Sequence, residues 1–289
     1  SLLSHNYIKK SKIKEFFKEI WDTKEIMGTN PIMSLNQIQF LDIQIKGHSQ
    51  KRLVNLLEEY YLKSKGVTIN RCNHMNVKKY IYLDDCMYTG LTLMKDINNW
   101  IDNMSPNCDT QLDVIFLGEY NGNCDYVEGC LIKKCQEKGI TVKIYRMYEY
   151  NNNLHYAPPY DVLWPQYMDD DEYVNAYVQY MEEQKTITGK GGLGFRNPYL
   201  GEESDLFTSS YNRVIFEKAL LKKGAYICSL PQNRNERMKP MGYSHGISLG
   251  FGAFFATCFN ISNNCPLAFW WGDLWSSSSE TLGKWYPLL

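Results

Sequence analysis

Four apolar residues, Tyr80, Ile81, Tyr82 and Leu83, run straight into two adjacent carboxylates, Asp84 and Asp85. A turn carrying Thr89, Gly90 and Thr92 follows, and then a helix-like stretch over 93–101. An apolar run without alternation is the pattern of a strand buried on both faces, as in parallel sheets joined by crossover helices. The segment therefore directs the chain toward an α/β architecture. Acids at the carboxyl end of such a strand stand at the crevice where open α/β sheets take ligands. The small residues behind them leave backbone N–H groups at a helix N-terminus, a natural seat for a phosphate. An acidic strand end followed by a plain helix cap would use the same residue types.

The flanking sequence supplies the rest of such a sheet. Strands are expected at 39–45, 67–69, 80–83, 112–117 and 141–145. An amphipathic helix over 8–21 turns Ile13, Phe16, Phe17, Ile20 and Trp21 to one side. Further helices are expected at 50–62, ending near Gly66, and at 127–138, closed by Gly139. This alternation means an α/β fold with a parallel sheet and helices on both faces. After residue 150 the character changes at Asn151, Asn152, Asn153 and then Pro158 and Pro159. An acidic helix over 169–184, a glycine-rich loop over 188–194 and a helix over 211–223 stopped by Gly224 follow. From Met238 onward glycines, aromatics and asparagines dominate. The expected division is an N-terminal helical segment 1–37, a core 38–150 and a C-terminal α+β extension 151–289.

The segment Asp84-Asp85-Cys86-Met87-Tyr88-Thr89-Gly90-Leu91-Thr92 resembles the phosphoribosyl-pyrophosphate motif of type I phosphoribosyltransferases. The block from Gly250 to Trp271 resembles the C-terminal part of the bacterial PRTase-CE group, phosphoribosyltransferase-like proteins with a C-terminal extension. The resemblance implies a phosphoribosyltransferase-type core whose catalytic acids, Asp84 and Asp85, hold the two ribose hydroxyls. Ionised carboxylates accept from such hydroxyls, and each charge-assisted bond contributes about 1.5–3 kcal/mol. Cys86, Met87, Tyr88, Thr89, Gly90, Leu91 and Thr92 would wrap the 5-phosphate. The turn Lys46, Gly47, His48 and Ser49 falls where the family places its pyrophosphate loop. Arg234, Arg237 and Lys239, with His245 close behind, would neutralise the departing pyrophosphate, although three cations in six positions also suit a solvated face. Mg²⁺ is implied as the companion of phosphoribosyl pyrophosphate, held by ligand oxygens and water rather than by direct protein ligation. One departure stands out: only 71–79 is available for the flexible hood loop of the family. Either the C-terminal extension replaces that hood or transfer is weak or absent.

The resemblance also implies an effector of a prokaryotic anti-phage system such as a retron. The partners would be a reverse transcriptase with non-coding nucleic acid, or a helix-turn-helix protein. Phosphoribosyl transfer is the leading activity. A catalytically inactive nucleotide sensor of the same fold and a nucleotide-hydrolysing toxin are the alternatives.

Composition narrows the setting. The 289 residues carry a formal net charge of -1, so no overall basic field points to nucleic acid or an acidic membrane. The 9 cysteines include no Cys-x-x-Cys pair and read as reduced thiols of a cytoplasmic protein. No leader pattern opens the chain, which begins with Ser as a processed or tagged start would, and no run of 18 apolar residues suggests a membrane span. Lys190 lacks the strand and the following Ser or Thr of a phosphate-binding P-loop, so its loop reads as a surface loop or lid. Homo-oligomerisation is compatible with the abundant aromatics, 14% of the chain.

Overall fold

The structure is a computed structural model, and it describes residues 6–45, 47–69, 76–153, 160–190, 192, 194–198, 207–233, 235–273, 275–277, 280–285 and 287–288. The chain divides into two compact units, Ile8–Tyr150 and Ser1–Tyr7 with Asn151–Leu289. The helix expected to stand apart at the N-terminus counts with the sheet-bearing unit.

Four strands build that sheet in chain order: β1 (Ile38–Phe40), β2 (Lys79–Met87), β3 (Thr110–Tyr120) and β4 (Ile140–Tyr150), all parallel. Parallel neighbours need crossovers, and helices supply them: α2 (Ser49–Leu57) before β2, α3 (Leu91–Met104) before β3 and α4 (Cys124–Gln136) before β4. A preceding helix, α1 (Lys10–Asp22), buries Ile13, Phe16, Phe17 and Ile20. The α/β class with a parallel sheet is as the sequence implies.

Alternation along the central strands explains the layers. Tyr80, Tyr82, Leu112, Val114 and Phe116 pack with Leu93, Ile97, Trp100 and Ile101 of α3 and Val127 and Leu131 of α4. The Tyr80 ring meets Trp100 edge-on at 4.8 Å. The alternate residues Ile81, Leu83, Ile115 and Leu117 point to the other face and are just as buried. On that side α2 packs on β2. Both faces are covered, which is why the strands read as continuous apolar runs.

Several boundaries differ from the sequence reading, each for a local reason. The first strand stops at Phe40 rather than 45, because the next backbone donors find side chains: Ile43 N–H bonds Gln50 Oε1 at 2.8 Å and Ile45 N–H bonds Asp96 Oδ1 at 3.2 Å. No strand forms at 67–69. The helical segment runs through a wide turn at Glu58–Leu62 to Gly66, in the left-handed region at φ 68°, and Val67 N–H returns to Leu62 O. β2, β3 and β4 outrun their apolar stretches, since the ladders continue as far as Met87 with Glu119 and Tyr120 with Tyr150.

The second unit is built around α5 (Glu172–Thr188) and α6 (Ser210–Ser229), which pack together, and a hairpin of β5 (Ala256–Thr257) and β6 (Asn260–Ile261). Asp171 caps α5, accepting from Tyr173 and Val174 N–H at 3.0 Å each. Gly224 does not stop α6. It lies inside the helix because a Cβ there would sit 2.3 Å from the Pro240 carbonyl oxygen, so the glycine admits a neighbouring backbone rather than ending the helix. The centre of this unit holds an ion cluster. Glu217 bonds Arg196 Nη2 at 3.0 Å and Arg213 Nε at 2.8 Å, with all three side chains essentially buried. The two guanidiniums also donate to Trp164 O and Val162 O, both at 2.9 Å.

Candidate functional site

The acid pair lies inside β2 rather than beyond its end. Asp84 and Asp85 are each only 6% exposed. Asp85 N–H donates to Asp84 Oδ1 and Cys86 N–H to Asp85 Oδ1, both at 2.8 Å, so each carboxylate takes up the next backbone donor. Asp84 Oδ2 accepts from the Gln44 side-chain amide at 2.9 Å and lies 3.4 Å from the Tyr82 hydroxyl. That hydroxyl is also 3.2 Å from Asp96 Oδ2, on α3. One hydroxyl carries one proton and can serve only one of the two carboxylates.

The electrostatics follow from this crowding. Burial first, and then the neighbouring charge of Asp85, raise the Asp84 pKa well above the ordinary carboxylate range. Burial also raises Asp96, with the Ile45 N–H and Tyr82 hydroxyl acting against it. Tyr82 is raised in turn by its own burial and by the two acids. Like charges at close range disfavour joint ionisation. Burial and crowding thus disfavour the charged forms of Asp84 and Asp96.

Gln44 joins this strand to the first βα turn. Its side chain meets Ser49 Oγ at 3.0 Å and accepts from Gln50 N–H at 3.0 Å. Gly47, exposed at φ 93°, takes the left-handed backbone, and His48 is exposed beside it. Ser49 opens α2. Lys46 lies outside the described residues.

The segment expected to hold the 5-phosphate divides into two parts. Cys86 and Met87 finish β2 and are buried, Met87 within the apolar core, so their side chains face protein. Tyr88 stacks on Tyr120 at 5.5 Å and Tyr120 on Tyr150 at 5.1 Å, an aromatic row across the ends of three adjacent strands. Thr89 is half-buried, while Leu91 and Thr92 are exposed in the first turn of α3. Gly90 precedes that turn at φ 72°, and a Cβ on it would lie 2.4 Å from a Val127 methyl. No side chain caps α3 among the described residues. Its first N–H groups keep the donors and the positive dipole end that favour an anion.

Arg237 is exposed and Lys239 buried, both in the second unit, and Arg234 lies outside the described residues. Gln44, Tyr82 and Asp96 were not singled out from the sequence. Asp96 left a signal there: it follows Leu93 by three positions and adjoins Ile97, an acid on the inward stripe of its helix. Gln44 left none, since a glutamine at a strand end is ordinary. Among the described residues no group of three His, Cys, Asp or Glu side chains is placed to hold a metal ion. No described helix is long and apolar enough to cross a membrane.

Neither the curated proteins nor the solved structures contain a match to this chain. The PRTase-CE family model matches residues 1–289, the whole chain, and the protein belongs to the PRTase-CE family.

Proposed function

We propose that the protein binds phosphoribosyl pyrophosphate at the carboxyl ends of β1 and β2 and transfers its phosphoribosyl group. One juxtaposition carries the reading: the uncapped N-terminus of α3 behind Gly90, the Asp84–Asp85 pair and the Gln44–Ser49 turn stand on two adjacent parallel strands. Family membership supports a phosphoribosyltransferase-like function. In this scheme the N–H groups of the first turn of α3, with Thr89 and Thr92, receive the 5-phosphate. Asp85 and Asp84 accept from the ribose hydroxyls and stabilise the cationic character that the ribose gains as pyrophosphate leaves. Mg²⁺ would enter on the ligand, held by its oxygens and by water, and would offset the charge of the pyrophosphate.

The test is calorimetric titration of phosphoribosyl pyrophosphate with Mg²⁺ into the wild-type protein and the Asp85→Asn variant. Equal affinity in both would remove the ribose role assigned to Asp85. A second reading, binding without transfer, is favoured by the protein partners that Asp84 already has in Gln44 and Tyr82. Release of pyrophosphate separates transfer from binding alone, and release of free base or ribose phosphate from a nucleotide marks hydrolysis. We further propose that the activity serves prokaryotic defence, as an effector released by a partner protein or nucleic acid. Plating efficiency of phage on cells with and without the Asp85→Asn change tests that role.

A further inference from the structure

Two stretches of the second unit come together around one cavity. Lys190, at the start of the glycine-rich loop, and Arg237, Lys239 and His245, from the basic stretch beyond α6, line one cavity of about 370 Å³. Gly192 shows how closely the two stretches meet: a Cβ there would overlap the Ile247 carbonyl oxygen. Every residue of the lining belongs to Asn151–Leu289, so the cavity is complete within that unit.

Three features of the lining define what fits. Lys190, Arg237 and Lys239 are basic side chains, set against the single acidic side chain of Glu236. Among the described residues neither Lys190 nor Arg237 has an ion-pair partner, while Lys239 is held at 5% exposure. Tyr177 and Tyr180, from one face of α5, supply an aromatic wall with rings 6.0 Å apart. The Tyr177 hydroxyl donates to Ser248 O at 3.0 Å, and the hydroxyls of Ser244 and Ser248 meet at 2.8 Å, which ties the far wall to the helix. A concave site of a few hundred Å³ takes a small molecule, with polar groups setting its orientation. Fixed cations beside an aromatic surface suit a ligand with a phosphate at one end and a flat ring at the other.

We propose that this cavity, lined by the second unit alone, is a binding site for a nucleoside phosphate. Arg237 and Lys190 would meet the phosphates, Lys239 would fix the charge at the cavity wall, and Tyr180 would offer its ring to the base. The proposal does not depend on the sheet-edge reading.

The probe is ADP, titrated calorimetrically into the full chain. Wild-type protein should show saturable binding that weakens at least tenfold in the Lys190→Ala/Arg237→Ala double variant. Both side chains are exposed, so the fold should be unaffected, and an unchanged melting temperature checks this. Tyr180→Ala should weaken ADP severalfold while leaving inorganic pyrophosphate affinity alone. Asp85→Asn should retain ADP binding, which keeps this site distinguishable from the one on β2. Absence of saturable ADP binding would overturn the proposal. So would binding that Asp85→Asn abolishes and the double variant leaves intact, or adenosine binding as tightly as ADP.

Discussion

The Gln44 side-chain amide reaches Asp84 Oδ2 at 2.9 Å across forty residues of chain, and so the first βα turn and the acid strand are one hydrogen-bonded assembly. The same amide holds Ser49 and the N–H of Gln50. Gln44→Ala removes all of these partners at once and leaves a buried carboxylate short of a donor. It should cost about 1–3 kcal/mol of stability, read from denaturant midpoints, and should weaken phosphoribosyl pyrophosphate binding. Gln44→Glu should be worse at neutral pH than at pH 5, because it sets another acid against Asp84.

Asp84 gives the fold a pH dependence of definite sign. Its pKa is higher in the folded chain than in the unfolded one, so the fold binds that proton more tightly. The resulting stabilisation is complete below the unfolded value near 3.8 and is lost as pH rises through the raised folded value. Asp84→Asn keeps a neutral side chain of the same shape and removes the loss. Thermal melts across pH 4 to 8 should show the variant gaining on the wild type as pH rises. A difference that stays flat, or shrinks, would contradict the burial and crowding assigned to this carboxyl.

Gly90→Ala should destabilise by about 2–4 kcal/mol, combining a left-handed backbone without glycine and a side chain forced onto Val127. Val127→Ala in the same chain should restore part of that loss. No restoration would mean that the backbone angle alone sets the requirement.

Glu217 sits between two buried arginines. Glu217→Gln leaves two guanidinium charges in the interior without their counter-ion, and breaking such a pair costs about 3–5 kcal/mol. The change should show as a large drop in denaturation midpoint. Ligand affinity at the β2 site, measured below that midpoint, should stay as in the wild type.

The sheet was legible because burial on both faces writes itself directly into composition at 80–83 and 112–117, while the half-buried edge run at 141–145 showed as alternation; each became a strand. The site was legible in its nucleus, where acids, glycine and threonines fall close together in sequence. What escaped was decided by particular hydrogen-bond and packing partners that hydrophobic periodicity does not record. Val67 was barred from a ladder by Leu62 O, Ile43 and Ile45 by the side chains of Gln50 and Asp96. Gly224 resembled a helix stop because sequence carries no trace of the Pro240 carbonyl it accommodates. The ion cluster at Glu217 draws Arg196 from twenty-one residues away, a separation no local pattern encodes.

Gly90 is fixed twice over, by its backbone angle and by the Val127 methyl beneath it, and neither requirement involves a ligand. Folding alone would preserve it in a descendant that had abandoned phosphate binding. Thr92 is in the opposite position, exposed and free of any packing duty. Across relatives, a threonine or serine at 92 would mark chains still under selection for the phosphate, whereas the glycine would survive as an architectural fossil in either kind.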